Sequence, residues 1–200
     1  MKINPSEMKI KQIAFESFAN KGYEGTNIRD ICNKAGIKMP TLYYYFESKE
    51  KLFFSILNET IEMFINYNTD SDFFKSIVDT KMEPGKKLFL IYMRRMNFYQ
   101  NYKKEYKLLY RYMVFYPEEF EEKILNCYLE MGNTINKCYS FVFIEIVEGK
   151  LITKDNLNEF ISEYNAFINT NIMHHFFYYK EIDPLRMKNQ WERFWGYATS

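Results

Sequence analysis

The sequence predicts an all-α protein, and three observations carry that prediction. Only seven glycines and five prolines occur in 200 residues. Apolar side chains recur at intervals of three and four rather than two. The few breakers fall between long periodic segments, so the chain reads as helix, short break, helix almost throughout. A hydrophobic fraction of 47%, with 20% aromatic residues, supplies ample core material.

The first helix begins at Pro5. Asn4 is placed to cap it with Glu7 three residues on, Ile10, Ala14 and Phe18 form its apolar stripe, and Gly22 ends it. The second is short: Asn27 and Asp30 have capping spacing, Ile28, Ile31 and Ala35 face inward, and Gly36 opens a tight turn. The third starts at Met39 or Pro40, with Leu42 and Phe46 pointing inward and Thr41, Tyr43, Tyr44 and Tyr45 on its other faces. Ser48 caps a long fourth helix through Leu52, Ile56, Met63 and Tyr67. Further helices are expected near 72–82, 86–102, 104–115, 118–147, 155–180 and 185–195, broken at Pro84-Gly85, Pro117, Gly149 and Asp183-Pro184. The fold is thus a three-helix unit over residues 1–48, joined through helix four to a larger helical domain over 49–200.

Helix two, the turn at Gly36 and helix three have the form of a helix-turn-helix, which lays its second helix in the major groove of DNA. At the start of that helix Thr41 can bond a base edge or meet a thymine methyl, and Met39 and Pro40 offer apolar contact. Thr26, Tyr43, Tyr45 and Lys49 are donors suited to phosphates, which fix register rather than read sequence.

The segments Gly22-Tyr-Glu-Gly-Thr-Asn-Ile-Arg-Asp-Ile31, Ala35-Gly-Ile37, Thr41-Leu-Tyr-Tyr-Tyr-Phe46 and Ser48-Lys-Glu-Lys-Leu52 together resemble the DNA-binding domain of the tetracycline-repressor (TetR) family over about the first 55 residues. The resemblance implies a homodimer on double-stranded operator DNA. It also implies a divergent helical C-terminal domain that dimerises and holds a small-molecule inducer, with repression as the default. By position it adds Arg29 to the base-facing set of Met39, Pro40 and Thr41, and Tyr44 to the backbone-contacting surface. Two residues depart from the family pattern. Lys38 stands where Ser or Thr usually caps helix three and is placed for a phosphate, and Cys32 replaces a common alanine as a small core residue.

Beyond residue 55 the reading rests on side-chain chemistry alone. Phe, Tyr and Met are concentrated at 89–99, at 106–116 and at Phe176, Phe177, Tyr178 and Tyr179. Such side chains make adaptable walls for an apolar or aromatic ligand, with Tyr92, Met96, Tyr99, Tyr110, Met113, Phe167 and His174 as candidates, although aromatic stripes more often form plain core. His174 and His175 diverge by about 100° on a helix, so no metal site is expected from them. Glu145 interrupts the apolar run Phe141–Val147 and is expected at a helix edge reaching solvent, with a cationic ligand as the alternative. Arg94-Arg95 and Lys103-Lys104 are expected on a solvated face, with a grip on an acidic head group as the alternative. The dimer contact is expected on the two long late helices, at Gly132, Asn136, Tyr139 and Phe143 and at Tyr164, Phe167, Ile168 and Ile172.

A net charge of +1 argues against a polybasic nucleic-acid coat or membrane binder, while residues 1–50 carry eight Lys and Arg against six acids. Three scattered cysteines without paired spacing fit a reducing cytoplasm and neither a disulfide framework nor a zinc site. No apolar run approaches the roughly 18–20 residues a bilayer requires, and Met1–Lys11 is too polar for a signal peptide. No phosphate loop, nucleophile elbow or metal-protease motif nominates a catalytic residue or a cofactor, so an enzyme is not expected. The reading is a ligand-released repressor, and its alternative is a helical DNA-binding protein without an inducer.

Overall fold

A computed structural model describes residues 4–78, 81–178 and 181–200, with the side chain of Phe177 excepted. Tyr179 and the last residues of the helix expected over 155–180 therefore lie outside the described residues, as do Asp79 and Thr80 of the one expected over 72–82. Ten α-helices and no strand occur among the described residues. None is long and apolar enough to cross a membrane. The chain forms two compact units, residues 1–64 with 103–131 and residues 65–102 with 132–200.

In the first unit, α1 (Pro5–Lys21) starts where Asn4 Oδ1 accepts the Ser6 N–H at 2.9 Å. It stops at Gly22, whose φ of 77° suits a residue without Cβ. Asn27 caps α2 (Ile28–Ala35) by accepting the Arg29 N–H at 2.8 Å. Gly36 then turns left-handed at φ 70°, ψ 33°, and the Ile37 N–H reaches back to the Cys32 carbonyl at 3.0 Å. This closure satisfies the carbonyls that a helix end leaves unpaired. The short α3 (Met39–Tyr45) follows, then α4 (Lys49–Asn68), whose first turn is capped by Ser48 Oγ on the Lys51 N–H at 3.0 Å.

Behind these helices lie α7 (Lys103–Val114) and the start of α8 (Glu121–Glu148), linked by one 3-10 turn over Glu118–Phe120. Phe18, Tyr23, Phe53, Phe54, Tyr112 and Phe120 meet edge to face, the closest pair being Phe53 and Tyr112 at 4.6 Å between ring centres. Edge-to-face geometry adds about 0.5–1.5 kcal/mol per pair to the burial itself. Helix α7 also holds the end of α1 by polar contacts. Arg111 Nε and Nη2 donate to the Ala19 and Asn20 carbonyls, both at 3.2 Å, and the Tyr112 hydroxyl donates to the Phe18 carbonyl.

The second unit contains α5 (Ser71–Val78), α6 (Pro84–Asn101), the remainder of α8, α9 (Leu157–Tyr178) and α10 (Pro184–Ala198). Asp183 caps α10 by accepting the Leu185 and Arg186 N–H groups. At the end of α8 the positive φ falls on Lys150, at 57°, and not on the neighbouring Gly149 where the sequence places the break. The core is aromatic. Tyr92, Tyr139 and Tyr164 are buried, Phe167 stacks on Phe194 at 4.6 Å, and Trp191 meets the rings of Tyr164 and Phe167. Trp195 packs so closely on Gly85 that a Cβ there would lie 2.6 Å from the indole.

Candidate functional site

Two buried anchors set the face that α3 presents. Leu42 is fully buried and Phe46 nearly so, which turns Pro40, Thr41, Tyr43 and Tyr44 outward. Tyr44 is the most exposed of these, at 84%, and packs edge to face on the half-buried Tyr45. Met39 is half-buried, and Lys38 and Arg29 are exposed beside the turn. Lys38 occupies the cap position of α3 without a side-chain hydrogen bond to the helix, as expected of a residue with no acceptor. Its ammonium is thus not spent on the cap.

Two phosphate candidates are placed differently. Thr26 is buried, and its hydroxyl donates to the Gly22 carbonyl at 2.7 Å, so its side chain closes the α1 end. Lys49 lies over the Tyr23 ring at 4.3 Å, a cation–π contact that holds it at the start of α4. Arg29, Lys38, Thr41, Tyr43 and Tyr44 remain as an exposed set of donors on and around a helix-turn-helix, and that chemistry suits a nucleic-acid backbone and base edges. Cys32 is buried beneath it, and burial pushes its thiol pKa up, as for an inert core cysteine.

The family model for bacterial regulatory proteins of the tetR family matches residues 12–56, which run from α1 through the turn into α4. Over those residues the chain is similar to the TetR family. Among curated relatives, the HTH-type transcriptional repressor KstR2 of Mycolicibacterium smegmatis is 31% identical over 85 residues, 42% of this chain and 38% of KstR2. The biofilm operon icaADBC HTH-type negative transcriptional regulator IcaR of Staphylococcus aureus is 26% identical over 129 residues, 64% of each chain. The chain therefore spans less than two thirds of either relative. The transcriptional regulator FadR from Bacillus subtilis, solved in complex with stearoyl-CoA, shares the fold at a TM-score of 0.65 and 18% identity, over 96% of this chain and 97% of FadR.

Beyond the TetR-family match, the candidate ligand residues divide. Tyr92, Met96 and Tyr99 lie buried on one face of α6, and Tyr92 meets Phe167 of α9 at 5.0 Å. The Tyr92 hydroxyl lies 2.8 Å from Met187 Sδ, and burial pushes its pKa up. Tyr110 and Met113 belong to α7 in the other unit, where Tyr110 stacks on Tyr106 and Met113 is exposed. His174 is exposed against Tyr178, and its neighbour His175 is the buried one, edge-on to Tyr99. Two open clefts of about 570 and 440 Å³ lie in the second unit, and none of the seven candidates lines either.

The structure corrects the sequence reading at two places and bears it out in part at a third. Arg95 is not on a solvated face: it is 7% exposed and donates to Asn165 Oδ1 at 3.0 Å. Its neighbour Arg94 is half-buried between the rings of Tyr67 and Phe73 and donates to the Tyr67 carbonyl. Glu145 does reach solvent in part, yet its carboxylate takes both contacts of Lys87 Nζ, at 2.8 and 2.9 Å, and Lys87 is buried. Finally, Tyr139, Phe143, Tyr164, Ile168 and Ile172, expected at a dimer contact, are buried in the chain's own core, because α8 and α9 are apolar on more than one face. The outward residues of these helices in the second unit include Ile144, Ser162, Ala166 and Thr170.

Proposed function

We propose that this chain is a transcriptional repressor that binds operator DNA as a homodimer through α2 and α3, and is released by a small, largely apolar or aromatic ligand held in the second unit. The observation that carries the DNA-binding part is the exposed set Pro40, Thr41, Tyr43 and Tyr44, held outward by the buried Leu42 and Phe46. In a dimer, two such helices would enter major grooves about 34–36 Å apart. Thr41, Pro40 and Met39 would read bases with Arg29, and Tyr43, Tyr45, Lys38 and Lys49 would fix the register on phosphates.

Relatives named as a repressor and a negative regulator support the sign of the effect, and both names describe regulators rather than enzymes. The likeness to a regulator solved with stearoyl-CoA supports an apolar ligand. A cytoplasmic location goes with this reading. An inducer-free DNA-binding protein is the second reading, favoured by the full burial of Tyr92 and Met96 in close-packed core.

The test is titration of the protein against the DNA upstream of its own gene. Thr41→Ala and Tyr43→Ala should each weaken binding about 5- to 150-fold, the value of one to three kcal/mol per base or phosphate contact. Specific binding unchanged in both variants would remove α3 from the interface. Binding that no apolar compound weakens would favour the inducer-free reading.

A further inference from the structure

Of the four cations on helix α6, Lys86 is exposed, and two of the other three have carboxylate partners. Lys87 has Glu145, and Arg94 has Asp70 at 3.7 Å. Arg95 has none. It is 7% exposed, its hydrogen bond to Asn165 Oδ1 is to a neutral amide, and its Nε has no acceptor. No carboxylate among the described residues lies within ion-pair distance of it.

A guanidinium presents five N–H donors in a planar fork and does not lose its charge at any ordinary pH, so it cannot escape burial by neutralising. An uncompensated buried charge is among the costliest groups a core can hold. Among the described residues nothing beside it supplies the missing charge. The hydroxyls of Tyr139 and Tyr164 donate to the Asn68 and Leu88 carbonyls, and burial holds both phenols protonated. Asn165 in turn bonds Asn136 of α8, another neutral amide. No described residue supplies the counter-charge, and an anion from outside the chain would. The surroundings are those of an apolar ligand: Tyr92 and Tyr99 lie one turn either side of Arg95 on α6, and Met96 is adjacent.

We propose that Arg95 anchors the head group of an apolar carboxylic acid, taken carboxylate-first into the α6, α8 and α9 core of the second unit. The fork of a guanidinium matches the two oxygens of a carboxylate, and an enclosed fork admits a small anion but not a nucleotide-sized head group. The proposal rests on the ligand-controlled reading above and names the chemical class of that ligand.

The experiment uses the full chain and a panel of hexadecanoate, decanoate and 4-phenylbutyrate, each paired with its alcohol. Binding is read by calorimetry and thermal shift, and operator affinity is read in parallel. The acids should bind about tenfold or more tighter than their alcohols, the value of a charge-assisted hydrogen bond. Arg95→Met should bring that ratio to near one, Arg95→Lys should fall between, and ligand-free Arg95→Met should melt at or above the wild-type temperature. The anchor is overturned if no acid binds, if acid and alcohol bind alike, or if Arg95→Met keeps the preference. It is overturned equally if ligand-free Arg95→Met melts lower or changes oligomeric state, since the guanidinium would then serve the core or a contact between copies. Acids that bind through Arg95 without moving operator affinity would keep the anchor and sink ligand control. Alcohols that release DNA as well as acids do would have the opposite meaning.

Discussion

Replacing Glu145 by Gln isolates the cost of a buried ammonium. Lys87 is 3% exposed at its side chain, and both carboxylate oxygens of Glu145 lie within 2.9 Å of its Nζ, while Glu145 itself is 36% exposed. Breaking a fully buried pair from one side costs about 3–5 kcal/mol, because the surviving charge stays desolvated and unpaired. Here one partner is a third solvated, so water screens the attraction and can follow into the gap, which lowers the expectation to about 2 kcal/mol. The Phe141 ring, 5.8 Å from the Lys87 ammonium, offers little compensation. At about 2–4 °C per kcal/mol for a chain of this size, the melting midpoint of Glu145→Gln should fall by about 4–8 °C. The double variant Lys87→Met with Glu145→Gln removes both charges and should return to within about 1 kcal/mol of wild type. Urea and thermal unfolding followed by circular dichroism measure both. A single variant as stable as wild type, or a double variant less stable than the single, would refute the reasoning.

Arg111→Met should cost about 1 kcal/mol, since it leaves the Ala19 and Asn20 carbonyls at the end of α1 without their donors; an unchanged urea midpoint would show that water replaces the guanidinium freely. Gly36→Ala should cost about 1–2 kcal/mol from the left-handed backbone alone, because nothing lies within 4 Å of the added methyl, and a loss well beyond that would mean that the turn is held by more than its φ. Burial pushes the Tyr139 phenol up to about 12 against the opposing pull of Arg95 and Arg94. Its raised folded pKa gives a stability that is complete below the unfolded value near 10 and is lost as pH climbs from there towards 12, roughly 2–3 kcal/mol in all. Urea midpoints on either side of that window should therefore drop, less steeply in Tyr139→Phe, and a flat profile would contradict the burial argument.

The first unit was legible because each of its signals is local. Asn4, Asn27 and Ser48 cap the helices that follow them, Gly36 takes the one backbone region it was placed for, and Leu42 and Phe46 point inward at their four-residue spacing. Thr26 is less legible, because a threonine at a helix end can serve either a phosphate or a carbonyl, and only the fold shows its hydroxyl on Gly22. The second unit was harder to read. Its helices carry aromatics around much of their circumference, so spacing does not say which face is covered, and Tyr139 and Tyr164 could equally have been contact or core. The same ambiguity hid Arg95. Two adjacent arginines look like a wet edge in one dimension, but about 100° of helix separates them, and the turn carries Arg95 inside while Arg94 stays among rings at the margin.

Trp191 and Trp195 are the chain's two tryptophans, and both sit on α10 in the second unit, one among Tyr164, Phe167 and Phe89, the other against Gly85. The helix-turn-helix is rich in tyrosine and has no indole. Light absorbed only by indole therefore interrogates one unit of this molecule and leaves the other dark. Emission at its long-wavelength edge becomes an unlabelled gauge of packing around α6, α9 and α10. It can be followed while DNA is added or withheld, with no dye or tag on α3.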